Sequence, residues 1–138
     1  KFEKLGIIVS EKEDPVFESY KSAIKIWVHG AGNKKLTVGG VVFDDKYLRI
    51  SLVNDFYFEI EPDGELILVT NSDVPGVIGD VGHFLAANKI NIDTFALSRN
   101  RKGGQAMAML KVDSTLTEKS RKEMAKIENL ISVNTVSL

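Results

Sequence analysis

This sequence contains no cysteine, and that absence removes several kinds of chemistry at once. Without thiols there is no disulfide, no thiolate metal site and no cysteine nucleophile. Only two histidines are present, His29 and His83, and neither has a sequence neighbour that suggests a metal triad or a charge pair. We interpret His29 as a turn residue and His83 as a surface residue.

A strong net charge and long apolar runs are also lacking. The 138 residues carry a formal net charge of −1, which gives no electrostatic case for binding nucleic acid or an anionic membrane. No apolar stretch reaches the ~18 residues that a membrane span requires, and no signal peptide is visible. We therefore expect a cytoplasmic protein of one ordinary domain or two small ones.

Catalytic motifs are missing as well. No Gly-x-Gly-x-x-Gly opens a helix after a strand, and there is no Gly-x-Ser-x-Gly. The glycine-rich segments HGAGN, VGG and RKGG do not join a strand to a helix, so we interpret them as hairpin turns. The basic residues Arg99, Arg101 and Lys102 are interpreted as a solvated hairpin tip. The sequence thus predicts no catalytic residue, no cofactor site and no metal site in this chain.

The most informative segment runs from Leu66 to Asp93. It opens with an apolar run typical of a strand, which the polar residues 70–73 end. Pro75 suits the first turn of a helix because its fixed φ is already helical. The apolar residues that follow at helical spacing are Val77, Ile78, Val81, Phe84 and Leu85. The segment therefore predicts a helix over 75–88.

Three glycines lie within this predicted helix, at Gly76, Gly79 and Gly82. Each weakens a helix by ~1 kcal/mol relative to alanine. We therefore expect a close packing contact, or the close approach of a bound group, at one of them or more.

The rest of this half predicts a hairpin, a helix and a strand. Ile90–Leu97 and Gln105–Val112 alternate at period two on either side of the turn residues NRKGG. Thr115–Glu118 fits a capping box and predicts a helix over 117–129. Residues 132–138 then close as a strand. The resulting β-α-β-β-α-β order is the ferredoxin-like arrangement, an antiparallel sheet with both helices on one face.

The preceding half is dense in strand signals at the spacing of an antiparallel sheet. The predicted strands are Ala23–Val28, Leu36–Phe43, Tyr47–Val53 and Phe56–Ile60. The predicted fold class is α+β, with an antiparallel β-rich unit over 1–65 and the ferredoxin-like unit over 66–138. Lys1–Tyr20 reads as the end of a helix, then Ile7–Val9 and a charged connector. We expect such a chain to be excised from a longer protein.

Two interpretations of Asp73 and Asn91 are open. In one, Asp73 caps the following helix and Asn91 forms local hydrogen bonds. In the other, both residues bind a free amino acid. The Asp73 carboxylate pairs with the ammonium group of the ligand, and the backbone amides of Gly76 and Val77 donate to the carboxylate of the ligand. The Asn91 amide completes the site.

Residues 66–138 resemble an ACT domain, and residues 1–65 resemble the last part of the intervening domain called ASB. The form of ACT domain found in the D-3-phosphoglycerate dehydrogenase family is matched by Asn71, Asp73, Pro75, Gly76 and Asn91. The ASB resemblance rests on Thr37–Phe43, Leu52–Phe58 and Pro62–Leu66.

The resemblance implies a function. It implies an effector site for L-serine at Asn71, Asp73, Gly76, Val77 and Asn91, with the last contributed across a dimer interface. Asn71 stands where relatives often have histidine or tyrosine. It also implies feedback inhibition, a homodimer or homotetramer formed through ACT domains, and a parent enzyme that oxidises 3-phosphoglycerate with NAD. The catalytic domains would precede this chain.

Self-association is expected from the predicted sheet alone. A four-stranded sheet with helices on one face leaves an open face and two edges, and such surfaces are usually paired or covered.

Two other classes of protein remain open. The iron–sulfur L-serine dehydratases join a similar ASB-like domain to an ACT domain. The sequence Pro75-Gly-Val-Ile-Gly79 and the absence of that family's Ser-Ser-Ser-His-Thr motif favour the dehydrogenase. The other class is a stand-alone amino-acid-binding module.

Overall fold

The computed structural model describes residues 8–11 and 22–138. These residues form two antiparallel four-stranded sheets and two helices. The first sheet has the strand order β1-β2-β3-β4. Its strands are β1 Ala23–His29, β2 Lys35–Phe43, β3 Tyr47–Val53 and β4 Phe56–Ile60, with a single 3-10 turn at Ala31–Asn33. All four strands lie where alternation predicted them. The helix end and most of the charged connector predicted in the first twenty residues lie outside the described residues.

The segment VGG lies inside β2, so its interpretation as a hairpin turn is wrong. The pairing of β2 with β3 shifts register between Gly39 and Gly40. A Cβ atom built on Gly39 would lie 2.9 Å from Cβ of Leu52 on the neighbouring strand. Because this contact is shorter than side chains tolerate, only glycine fits there, and β2 and β3 approach closely.

The second sheet has the strand order β6-β7-β5-β8, with both helices on one face. Its elements are β5 Glu65–Ser72, α1 Val77–Ala87, β6 Ile92–Arg99, β7 Gln105–Val112, α2 Glu118–Met124 and β8 Leu130–Ser137. The predicted α+β class and β-α-β-β-α-β order are confirmed.

The helix ends differ from the prediction. α1 begins at Val77 rather than Pro75 because Gly76 has φ +97° and is not helical. α2 ends at Met124, five residues before the predicted limit, and the chain then turns. The capping residue of α2 is Thr117, whose Oγ1 accepts from the Ser120 amide at 3.1 Å. The capping box predicted at Thr115 is therefore wrong by two residues.

The main core lies between the second sheet and its helices. The strands contribute apolar side chains at alternate positions, and each helix contributes one buried face. Its fully buried members include Ile67, Val69, Leu85, Ala108, Leu110 and Met124.

The opposite face of the second sheet is not open, which corrects the expectation from the sequence. Strands β3 and β4 of the first sheet pack across it and form a second core. Met109 of β7 is fully buried there against residues such as Phe58, and the Tyr57 amide donates to Ser98 Oγ at 3.0 Å. Of the surfaces that the sequence analysis expected to self-associate, the edge strands β6 and β8 of the second sheet remain.

A charged cluster ties the two sheets together. Lys111 Nζ lies 2.6 Å from Asp63 Oδ1, 3.7 Å from Glu61 Oε2 and 4.0 Å from Asp93 Oδ2, and Glu61 also pairs with Arg49 at 3.1 Å. The hydrogen bond to Asp63 and the nearby carboxylates raise the pKa of Lys111. We call these five residues the Lys111 cluster.

Candidate functional site at the corner between β5 and α1

Asn71 is the buried polar residue of this corner. It lies at the end of β5 on the helix-facing side of the sheet, as do Ile67 and Val69, and is only 3% exposed. Its Nδ2 donates to the Ser72 carbonyl at 2.6 Å, while its Oδ1 is buried and has no partner. A buried acceptor without a donor costs roughly 1–3 kcal/mol. Such an atom is a place where a ligand donor would be stabilising.

The start of α1 supplies unpaired donors. No side chain caps this helix, and its first intrahelical bond runs from the Asp80 amide to the Gly76 carbonyl at 3.0 Å. The first amides of a helix have no partner within it and carry its positive dipole end. A Cβ built on Gly76 would meet nothing within 4 Å. The corner therefore offers backbone donors beside open space.

Asp73 does not cap α1, so the capping interpretation is wrong. Its Oδ2 accepts instead from the Gly103 amide at 3.0 Å and from Arg99 Nη1 at 3.4 Å. Its own amide donates to the Gly104 carbonyl at 3.0 Å. Asp73 thus fixes the turn between β6 and β7 against the end of β5.

Asn91 lies at the other end of the sheet. It is exposed, and its carbonyl accepts from the Asp113 amide at 3.2 Å. Val112 pairs with both Ile92 and Glu65, so the start of β6 lies level with the start of β5. The eight residues of β5 separate that level from Asp73 by about 26 Å. One chain therefore cannot bring Asn91 and Asp73 to the same small ligand.

The close packing contact expected at a helix glycine is not found among residues 8–11 and 22–138. A Cβ on Gly79 or Gly82 would meet nothing within 4 Å. For packing among the described residues the expectation is therefore wrong, and the close approach of a bound group stays a prediction.

The sequence analysis placed Arg99 with Arg101 and Lys102 at the hairpin tip and did not predict its ion pair with Asp73. Arg99 is the last residue of β6 and pairs with Asp73. The period-two alternation of this strand was the available signal, because it sets Arg99 on the same face as Phe95 and Leu97.

Across residues 8–11 and 22–138, no three histidine, aspartate or glutamate side chains are grouped to hold a metal ion. None of the helices in that part of the chain is both long enough and apolar enough to cross a membrane.

Comparison with known proteins identifies the second unit. The ACT domain family matches residues 66–129. The D-3-phosphoglycerate dehydrogenase of Bacillus subtilis strain 168 is 35% identical over 133 residues, and that of Archaeoglobus fulgidus is 32% identical over 135 residues. Each alignment covers 96% of this chain and 25% of the relative. The chain therefore spans about a quarter of the length of these relatives.

A third relative is named as a dehydratase chain and not as a dehydrogenase. The probable L-serine dehydratase beta chain of Bacillus subtilis is 24% identical over 136 residues, covering 98% of this chain and 61% of that protein. The two dehydrogenases named above are more similar to this chain than this dehydratase chain is. Residues 66–129 are thus an ACT domain, and over nearly its whole length the chain is related to the D-3-phosphoglycerate dehydrogenases.

Proposed function

We propose that this chain is the regulatory part of a D-3-phosphoglycerate dehydrogenase and that it binds L-serine as a feedback inhibitor. In such an enzyme the oxidation of 3-phosphoglycerate with NAD takes place in domains outside this chain. The chain itself carries no catalytic residue in this proposal. Its contribution is to sense the amino acid and transmit that signal by changing how its copies associate.

The observation that carries the proposal is the buried, unpartnered Oδ1 of Asn71 near the end of β5, the strand that residues 73–76 join to the uncapped start of α1. A free amino acid has an ammonium donor and a carboxylate acceptor within a few ångströms of each other. The corner offers the complementary groups, an amide oxygen, the Asp73 carboxylate and the amides of Gly76 and Val77. The open space at Gly76 lets a ligand approach these amides closely.

A second copy of the chain completes this site in the proposal. If two copies of β6 pair antiparallel about the strand midpoint, residue 92 of one copy lies opposite Arg99 of the other. Asn91 of the partner subunit then reaches the end of the sheet that carries Asp73. Phe95 and Leu97, both about half exposed on β6, would be covered by that pairing.

Regulation follows from this shared site. A ligand that contacts two subunits stabilises their association by its binding free energy. By reciprocity, association raises the affinity for the ligand. Serine would therefore stabilise the regulatory dimer and limit the movement of the catalytic domains attached to it.

Calorimetric titration with L-serine tests the proposal. The Asp73→Ala change removes a charge from the site. Because a hydrogen bond to a charged group contributes ~1.5–3 kcal/mol, this change should weaken serine binding roughly tenfold to a hundredfold. Asp55→Ala, in the exposed turn between β3 and β4, is the matched control and should bind as the unchanged chain does. An absence of serine binding at millimolar concentration would refute the proposal.

A second candidate is the regulatory region of an L-serine dehydratase, favoured by the 24% identity that extends over 98% of the chain. The identity to the dehydrogenases is higher, so we favour them. The native sequence upstream of Lys1 discriminates between the candidates. A dinucleotide-binding fingerprint there supports the dehydrogenase, a serine-rich motif supports the dehydratase, and a start codon near Lys1 supports a stand-alone module.

A further inference from the structure

We propose that Arg99 is a further binding residue of this site, which receives the α-carboxylate of the ligand, and that Asp73 positions it. This inference rests on the proposed amino-acid binding and adds a residue that determines specificity. It also changes the role of Asp73 from a receptor for the ligand ammonium to a support for the guanidinium.

The strand register brings Arg99 to the site. Asn71 of β5 pairs with Ala106 of β7, and Ala106 pairs with Arg99 of β6. Directly opposite residues of antiparallel strands point to the same face, so Asn71 and Arg99 both point to the helix-facing side. Two strand spacings separate their backbones, about 10 Å. An amino acid between them can face an acceptor on one side and a cation on the other.

The contacts of Asp73 indicate which of the two charges is presented to a ligand. Its Oδ2 already accepts from the Gly103 amide and from Arg99. The Asp73 side chain is 23% exposed, whereas that of Arg99 is 60% exposed. The carboxylate is thus held within the fold, and the guanidinium is the accessible member of the pair.

The guanidinium retains donors for a ligand. Arginine has five N–H groups in a planar fork, and one nitrogen of Arg99 is used by Asp73. The remaining donors suit bidentate recognition of a carboxylate. Arg101 and Lys102 make no ion pair with Asp73 or any other described residue, so nothing fixes their positions in the same way.

The proposal therefore predicts a ligand class, α-amino acids with a free carboxylate. Asn71 Oδ1 accepts from the ligand ammonium, while Arg99 donates to the carboxylate together with the first amides of α1. L-Serinamide keeps the ammonium and the hydroxymethyl group of serine but lacks the carboxylate. It is the probe that isolates the contribution of Arg99.

The test is a set of calorimetric titrations with L-serine and L-serinamide in slightly acidic buffer, where both amines are protonated. Arg99→Met should weaken serine binding roughly tenfold to a hundredfold and leave the weaker binding of serinamide unchanged. Arg99→Lys keeps the charge but loses the fork, so it should bind serine with an intermediate affinity. Arg101→Met is the matched control and should bind both ligands as the unchanged chain does.

The outcomes separate this inference from the function on which it rests. If the unchanged chain binds serine and Arg99→Met binds it equally well, Arg99 is not a binding residue. If Arg99→Met and Arg99→Lys lose serine and serinamide in the same proportion, the change is structural and the inference is again wrong. If the unchanged chain binds no serine, the proposed function and this inference are both overturned.

Discussion

The two ends of the second sheet carry similar residue types and arrange them differently. At the end where β5 starts, Lys111 is surrounded by carboxylates that satisfy it, and these contacts bridge the two sheets. Glu65 Oε2 is buried there without a partner, but the other oxygen of that carboxylate accepts from Ser137 Oγ at 2.6 Å. At the end where β5 finishes, Asn71 has an unpartnered oxygen, α1 has no cap and Arg99 is mostly exposed. A charged cluster whose groups are satisfied within the fold indicates structure. A corner that leaves buried and backbone groups unsatisfied indicates a binding site.

The core between the two sheets should contribute more to stability than either end of the second sheet. Met109 is fully buried between the two sheets. Met109→Ala leaves a cavity there and should lower the free energy of unfolding by about 2–5 kcal/mol. Urea denaturation followed by circular dichroism measures this loss. A loss below ~1 kcal/mol would mean that the first sheet does not pack on the second in solution.

Asn71→Leu should separate stability from binding. Leucine removes the unsatisfied oxygen and keeps an apolar side chain between sheet and helices. The ligand-free chain should therefore become more stable by roughly 1 kcal/mol, the lower limit of the cost of such an atom. The same change removes the acceptor for the ligand ammonium and should abolish serine binding. Denaturation and calorimetry on one preparation check both, and a variant that still binds serine would contradict the role given to Asn71.

Lys111→Met should have the converse effect. It removes the cation that holds Asp63 and Glu61 together, so the carboxylates repel one another and the midpoint of urea denaturation should fall. Serine affinity should not change, because the Lys111 cluster lies at the opposite end of the sheet. A variant that loses serine binding while remaining folded would show that the two ends are coupled.

The smallest effect is expected at α2, away from both ends. Hydrogen bonds from Arg121 and Lys122 lower the pKa of Glu118 from 4.5 to about 2. A lowered pKa stabilises the folded chain above pH 4.5, and that contribution is lost as the pH falls from 4.5 towards 2. Glu118→Gln should therefore be slightly less stable than the unchanged chain at neutral pH, with a difference that narrows below pH 4.5. Thermal unfolding at several pH values measures it, and a difference that does not vary with pH would assign it to another cause.

How much of this could be predicted from the sequence depends on the range of the interactions. Strands β3, β4 and β7 were predicted with the observed limits because strict alternation is a local signal. The start of α1 was missed because the positive φ of Gly76 is a property of the folded turn. The end of α2 was missed because helical spacing continues to Ile127 although the backbone does not.

The candidate site shows the same limit. Asp73 was proposed from the local turn that precedes a helix, and Asn71 only from the resemblance to an ACT domain. The contact between Asp73 and Arg99 joins residues 26 positions apart in the sequence. The alignment of Asn71 with Arg99 across Ala106 depends on strand register, which periodicity alone does not fix. The cover on the second sheet was missed for the same reason, because it comes from residues on another sheet.

The central claim is that each serine site is formed by residues from two copies of the chain. A mixing experiment tests this most directly. Asp73→Ala and Asn91→Ala should each bind serine weakly. In a mixture of equal amounts, half of the dimers are mixed, and each mixed dimer contains one site with both residues intact, so about a quarter of all sites should recover full affinity. Calorimetry that finds this quarter supports the claim. A mixture that binds no better than either variant alone, while the unchanged chain binds serine, would contradict it.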